Sequence, residues 1–317
     1  MQHVMKLTIV LLCCYLALPI WAGEVVKQEI PKEQSNVICG VYPDLASGAL
    51  TYAQLSELPK GVLLQSDDLK FSLENLQEAI SRSPKPLQKE LTKNAFFVME
   101  QEITPKLILR EAKAALASKD VELDQKTQQQ IIQTYIDQLT KKVTITDADI
   151  EQFYRENESI FCGTPLEKVK DQIGPFVLQE RKQQFITEHL RTLGKKVQIN
   201  VSVDWVKDQA HLAKDNPLDK ARGNGKVTLA VFSAASCCGP DKMKPVLTAL
   251  GTKYDAKAMN TIYLEAKQEQ ILAARYQVRS IPTQVFFDKT GQEVYRHVGF
   301  FSVEDIEKQL LRIAIQQ

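Results

Sequence analysis

The chain has 317 residues, too long for one small domain and suited to about two. Forty basic against 39 acidic side chains leave a net charge of +1, which excludes a polybasic nucleic-acid or membrane binder. A hydrophobic share of 44% with only 13 glycines and 13 prolines excludes a long disordered or fibrous chain.

Residues 1–22 read as an address. Lys6 gives a basic start, Leu7 to Leu18 is an almost unbroken apolar run, Pro19 ends it, and Ala22 is a small residue suited to cleavage. This pattern predicts a secretory signal peptide and a periplasmic location. The run is short for a membrane span of about 20 residues. Removal of the leader leaves Cys39, Cys162, Cys237 and Cys238. An exported chain meets oxidising conditions, where disulfides persist, but four thiols are too few to replace a hydrophobic core.

Asn36 to Cys39 reads as a short strand before Gly40. From Thr51 the apolar spacing turns to three and four, which predicts helices near 51–58, 67–83, 86–117, 124–142, 147–157 and 166–194. Pro105 and Gly174-Pro175 are expected to bend or split their helices, because proline lacks the donor for the preceding turn. Thr146 to Asp149 is a helix start with its own cap. Val197 to Val203 alternates as a strand. Residues 206–225 are polar, carry Pro217, Gly223 and Gly225, and read as a linker. Strand and helix then alternate: strand Lys226–Ser233, helix Lys242–Tyr254, strand Thr261–Glu265, helix Gln268–Tyr276, strands Gln284–Phe287 and Glu293–His297, and helix Val303–Ile315. That order predicts a mixed sheet with helices on both faces. The fold class expected is therefore two-domain, an all-α (mainly helical) domain over 23–205 joined by the linker to an α/β domain over 226–317.

The last segment carries three linked features. The apolar strand Val227–Phe232 leads into Ser236-Cys-Cys-Gly-Pro240, Pro245 follows Cys237 by eight residues, and Val278-Arg-Ser-Ile-Pro-Thr-Gln-Val-Phe-Phe-Asp288 precedes Gly291 and His297-Val-Gly-Phe300. Together these resemble the thioredoxin family. The resemblance implies a cis peptide before Pro282, with Ile281 offering backbone groups to an extended client. It places Cys237 as the first thiol of the site. The other register, Cys238-Gly-Pro-Asp241, puts Asp241 at the resolving position and shortens the spacing to Pro245. Neither register forms the family's Cys-x-x-Cys. Ser236 stands where a tryptophan commonly precedes the first cysteine, and Val231 where the family has a buried acid. A thiol at a helix amino end still feels unpaired N–H groups that favour thiolate. Cys238 is then the neighbour that resolves a mixed disulfide or forms a strained vicinal bond. Adjacent thiolates also suit soft metal ions, but no second pair and no nearby histidine accompany them, so no metal site and no cofactor are expected.

In the first segment, Val143 to Asn157 with Phe161 after it, then Leu166–Ile173 and a long helix ending in the Val197–Val203 strand, resemble the helical chaperone part of SurA- and PrsA-type folding factors. Those factors commonly hold a parvulin prolyl-isomerase domain between such segments. Here only Cys-Gly-Thr-Pro165 intervenes, so no isomerase activity is expected. Phe96 and Phe97 are candidate lining for a client groove, with plain core packing as the alternative. Cys39 and Cys162 are expected to pair if the first strand packs near the start of the 166–194 helix.

The function these features imply is an exported thiol–disulfide oxidoreductase that holds unfolded or partly folded exported proteins and exchanges their disulfides through Cys237, Cys238 and Pro282. It would be served by a periplasmic or membrane thiol-redox partner, with no nucleic-acid partner. The rival is a non-enzymatic holdase or assembly factor whose thioredoxin-like module only binds.

Overall fold

The computed structural model describes residues 36–43, 45–46, 48–67, 69–117, 126–156, 161, 163–234, 241–254 and 259–315. The expected leader lies outside these residues, as do Cys162, Cys237 and Cys238.

The amino-terminal region is not all helix. Val37 makes one bridge to Gln54 and α1 (Ile38–Val41) follows, so the strand expected at 36–39 shrinks to that bridge. β1 (Gln54–Ser56) replaces the helix expected over 51–58. β2 (Val62–Ser66) and β3 (Leu69–Ser72) form a hairpin that takes the start of the one expected over 67–83. β4 (Asn200–Ser202) inserts between β1, to which it is parallel, and β2, to which it is antiparallel. Short apolar runs carry no decisive period, and here a partner distant in sequence decides the conformation.

The helices that follow have local causes. Ser72 and Asn75 form a capping box for α2 (Leu73–Ser81), and Thr127 with Gln130 does the same for α5 (Gln128–Thr140). At α6 (Asp147–Glu156), the Thr146 N–H donates to Asp149 Oδ2 at 2.7 Å and the Asp149 N–H to Thr146 Oγ1 at 3.3 Å, the reciprocal cap expected from the sequence. The 86–117 segment divides at Asn94 into α3 (Lys85–Lys93) and α4 (Ala95–Ala117), not at Pro105. α7 (Leu166–Lys196) likewise runs unbroken through Gly174-Pro175. Each proline removes one backbone bond, while buried neighbours on both sides, Ile103 and Leu107 or Ile173 and Val177, hold the helix on its partners.

One core joins the small sheet to α2, the first half of α4, the end of α7 and α8 (Val203–Ala213), with Leu64, Phe71, Phe96, Met99 and Val201 at its centre. Farther out, α4 packs on α5 through Leu116, Ile131 and Tyr135, and α6 packs on α7 through Phe153, Ile173 and Val177.

The described residues between Ile38 and Ala53 lie against the carboxyl end of α7. The Lys195 ammonium sits 4.4 Å over the Tyr52 ring, and Gly194 passes so close to the Ala49 carbonyl that a Cβ there would overlap it. Cys39 belongs to this end, half-buried and with a free thiol, which burial pushes up and Lys195 partly draws back. Cys162 precedes the opposite end, and a helix rising 1.5 Å per residue separates Leu166 from Lys195 by about 43 Å. Four residues of chain span at most about 14 Å. The first segment thus packs at the end of α7 far from Leu166, and Cys162, the expected partner of Cys39, lies outside the described residues.

The segment read as a linker is structured. α8 is capped by Ser202, and α9 (Pro217–Arg222) by Asn216, whose Oδ1 accepts the Asp219 N–H at 2.9 Å. Leu218 of α9 is fully buried under the second sheet. That sheet is built from β5 (Val227–Ser233), β6 (Met259–Glu265), β7 (Thr283–Phe287) and β8 (Glu293–Val298) in the order β6-β5-β7-β8. β5 is parallel to β6 and antiparallel to β7, and β7 is antiparallel to β8. α10 (Met243–Lys253) and α12 (Val303–Ile315) cover one face through Met243, Leu250 and Ile306. α9 and α11 (Gln270–Arg275) cover the other through Leu218 and Leu272. Covered on both faces, β5 is buried from Thr228 to Ser233, which is why its sequence is apolar without alternation.

Candidate functional site

The segment entering β7 makes the backbone feature the sequence pointed to: the Ile281–Pro282 bond is cis. The Thr283 hydroxyl donates to the Ser280 carbonyl at 2.6 Å, and the Gly299 N–H to the Pro282 carbonyl at 2.8 Å, so β8's end holds the turn from below. Ile281 beside it projects into solvent, 46% exposed.

β5 runs toward residues 235–240, which hold Cys237 and Cys238 and lie outside the described residues. The chain re-enters at Asp241, a buried acid. Its Oδ1 accepts the Ser233 hydroxyl at 2.8 Å and the Met243 N–H at 2.8 Å. Its Oδ2 accepts the Tyr263 hydroxyl at 2.6 Å. One carboxylate thus ties the end of β5, the first turn of α10 and the middle of β6 together. Tyr263 also lies 3.3 Å from Glu265 Oε2 and under the Lys244 ammonium, 5.1 Å from the ring centroid. Burial, then the Asp241 carboxylate, pushes the Tyr263 phenol well above its ordinary range, so it stays a donor.

Strand pairing sets Tyr263, Val231, Gln284 and His297 in one row across the face under α10. Val231 is fully buried and brings no carboxyl to that row. The Gln284 amide donates to the Gly299 carbonyl at 3.1 Å and approaches Met243 Sδ at 3.5 Å. The His297 ring stacks on Phe301 at 4.2 Å and its Nε2 faces the Phe300 carbonyl at 3.2 Å, which assigns the proton to Nε2. Burial lowers its pKa to about 4, so the imidazole is neutral at pH 7.

The expected substrate-binding aromatics are elsewhere. Phe96 is buried in the amino-terminal core, stacked on Trp205 at 6.1 Å, and Phe97 is half-buried beside it. Phe96 is packing, not the lining of an open groove. Among the described residues no group of three His, Cys, Asp or Glu side chains is placed to hold a metal ion. The fold also reveals a second buried acid. Asp219 receives Arg222 Nε at 2.8 Å, Arg275 Nη1 at 3.2 Å and the Tyr276 hydroxyl at 2.6 Å. Burial alone would raise the Asp219 carboxyl, but Arg275 and Arg222 hold it below its ordinary range. The Asn216-Pro217 cap was the sequence signal for this helix, hidden inside a polar run. Ser233 and Tyr263 carried no such signal, because each reads as an ordinary strand residue.

A family model for the thioredoxin-like domain matches residues 215–314, beginning inside the segment read as a linker. The thioredoxin of Staphylococcus aureus is 42% identical over 77 residues, 24% of this chain and 72% of that protein. Among solved structures, a thioredoxin from Nicotiana alata is 28% identical with a TM-score of 0.26, over 30% of this chain and 79% of its own. A mutant thioredoxin from Halobacterium salinarum is 29% identical with a TM-score of 0.27, over 30% of this chain and 81% of its own. Through this carboxyl-terminal segment, with its cis-proline, the chain belongs to the thioredoxin family.

Proposed function

We propose that the protein is an exported, two-domain thiol–disulfide folding factor, whose SurA-like helical domain holds unfolded clients in the periplasm while the thioredoxin-like domain exchanges their disulfides. The observation that carries this reading is the cis Ile281–Pro282 turn with Ile281 open to solvent, on the domain whose helix α10 follows the Cys237-Cys238 pair. In the reductive direction, the Cys237 thiolate attacks one sulfur of a client disulfide. That S–S bond breaks, the client's other sulfur leaves as a thiolate and takes up a proton, and a mixed disulfide remains. Cys238 gives up its proton and attacks the Cys237 sulfur, releasing the second client thiol and leaving a vicinal disulfide. A dithiol partner of the periplasm or membrane must reduce that bond for another cycle. Tethering the client on the helical domain raises its effective concentration at the thiol.

The second reading is a holdase or assembly factor whose thioredoxin-like module only binds. Asp241 favours it: where one register would place a resolving thiol, a carboxylate is fully engaged as a structural tie. Alkylation of the exported protein across a series of redox buffers, read by mass spectrometry, separates the two. Rapid modification of Cys237 or Cys238, titrating at a moderately oxidising potential, supports exchange. Slow, potential-independent modification of both leaves the holdase.

A further inference from the structure

Residues 270–282 are held from both regions of the molecule. In α11, Leu272 and Ala273 are buried under the second sheet, whereas Ile271 packs on the amino-terminal core. Arg275, which ends α11, is tied on two sides: its Nη1 donates to the Ala213 carbonyl of α8 at 3.0 Å and to Asp219 of α9 at 3.2 Å. Four residues on, Arg279 Nη2 donates to Thr187 Oγ1 of α7 at 3.0 Å. Glu180 lies two turns before Thr187, on the same side of α7. It is half-buried, and the Arg279 guanidinium offsets the burial that raises its carboxyl. Between the two arginines the backbone passes through Gln277 at φ +53°. A residue with a side chain rarely adopts that conformation, which persists where the surroundings hold it. Two residues past Arg279 the chain reaches Ile281 and Pro282.

We propose that α7 positions the Ile281–Pro282 turn, with Thr187 and Glu180 as positioning residues that act through Arg279. This rests on the reading of that turn as the client contact of the thiol–disulfide chemistry, and adds what governs it. The second sheet holds the turn itself, where the Gly299 N–H donates to the Pro282 carbonyl at 2.8 Å. The approach to the turn, from Arg275 to Arg279, is held by α8 and α7. A thioredoxin-like unit standing alone would keep the first support and lose the second. The amino-terminal region is therefore more than a neighbour of the thioredoxin-like unit. It fixes one side of the segment that leads into the turn, and a displacement of α7 loosens that segment.

The test is amide hydrogen exchange on the full chain, with the Gly299 N–H as reporter of the turn and the Ala230 N–H of β5 as reporter of the sheet. Thr187→Val removes the acceptor and keeps the size, and Arg279→Met removes the donor. Each should speed Gly299 exchange about fivefold, the low end for a hydrogen bond to a charged group, because this one is exposed. Thr187→Ser, which keeps the hydroxyl, should exchange as the unmodified chain does. Ala230 should be unaffected throughout. Unchanged Gly299 exchange in Thr187→Val, failure of Thr187→Ser to preserve the slow rate, or an equal gain at Ala230 overturns the proposal. Turnover supplies a second readout. Thr187→Val should raise KM for a disulfide-bearing peptide about fivefold and leave the rate on a small aromatic disulfide unchanged, and an unchanged KM likewise overturns it. Absence of turnover in the unmodified chain removes the exchange reading, while amide exchange still decides whether α7 positions the turn.

Discussion

Asp241 holds three donors from three elements, and its charge sits at the amino end of α10, where a thiolate would also be favoured. The carboxylate takes up the Met243 N–H and offsets part of the positive helix end. Asp241→Asn should therefore lower the pKa of a thiol at that helix end, Cys237 or Cys238, by up to about 0.7 unit, since a charge at a helix end is worth up to about 1 kcal/mol. The pH dependence of alkylation checks this, and an unchanged profile would place both thiols outside its field. His297 makes the opposite kind of statement. Its pKa falls from 6.5 to about 4 through burial, so as pH drops below 6.5 the unfolded chain takes up a proton that the folded chain refuses. Stability is lost across that window, by about 3 kcal/mol in full. Melting between pH 7 and pH 4 should show the loss, and His297→Gln should flatten the slope. The candidate positions Ile281 and Pro282 were legible at this scale because the residues that carry the family resemblance are adjacent in sequence. Tyr263 was not, because its role depends on a carboxylate 22 residues away and on a strand pairing.

At the scale of elements, α9 departs most from the sequence expectation. Asn216-Pro217 starts it, Leu218 enters the core, and Asp219 ties it to Arg222, Arg275 and Tyr276. The six-residue helix is too short to stand alone and is held by what it packs on. Leu218→Ala should cost about 2–5 kcal/mol. Asp219→Ala should cost about 3–5 kcal/mol, because it leaves two guanidinium groups buried without their carboxylate. Urea unfolding of the full chain measures both, and losses below 1 kcal/mol would mean α9 is only apposed to the sheet. α4 and α7 show the converse. Pro105 and Pro175 break helices by local rule, yet burial on either side of each outweighs one missing backbone bond.

For the whole molecule, the family match from residue 215 and the burial of α9 agree that the thioredoxin-like unit begins before β5. A fragment starting at residue 215 should fold with a cooperative melt, whereas one starting at 226 should melt lower or not at all. Equal melting of the two would restore 206–225 to the status of a linker. By itself the sequence determined β5 through α12, since the elements there carry their own apolar run, period or cap, and it determined the absence of Cys-x-x-Cys, while the cis-proline turn was legible through the family resemblance of residues 278–288. Only the tertiary structure decided the amino-terminal sheet. Its strands are three to five residues long, and β4 reaches β1 across more than 140 residues, so no local pattern specifies the pairing. Tertiary structure also separated Cys39 from the start of α7, buried Phe96, and joined α7 to the cis-proline segment through Thr187 and Arg279. Each of these is a distance between segments remote in sequence, settled by which apolar faces cover one another and not by any residue's own preference.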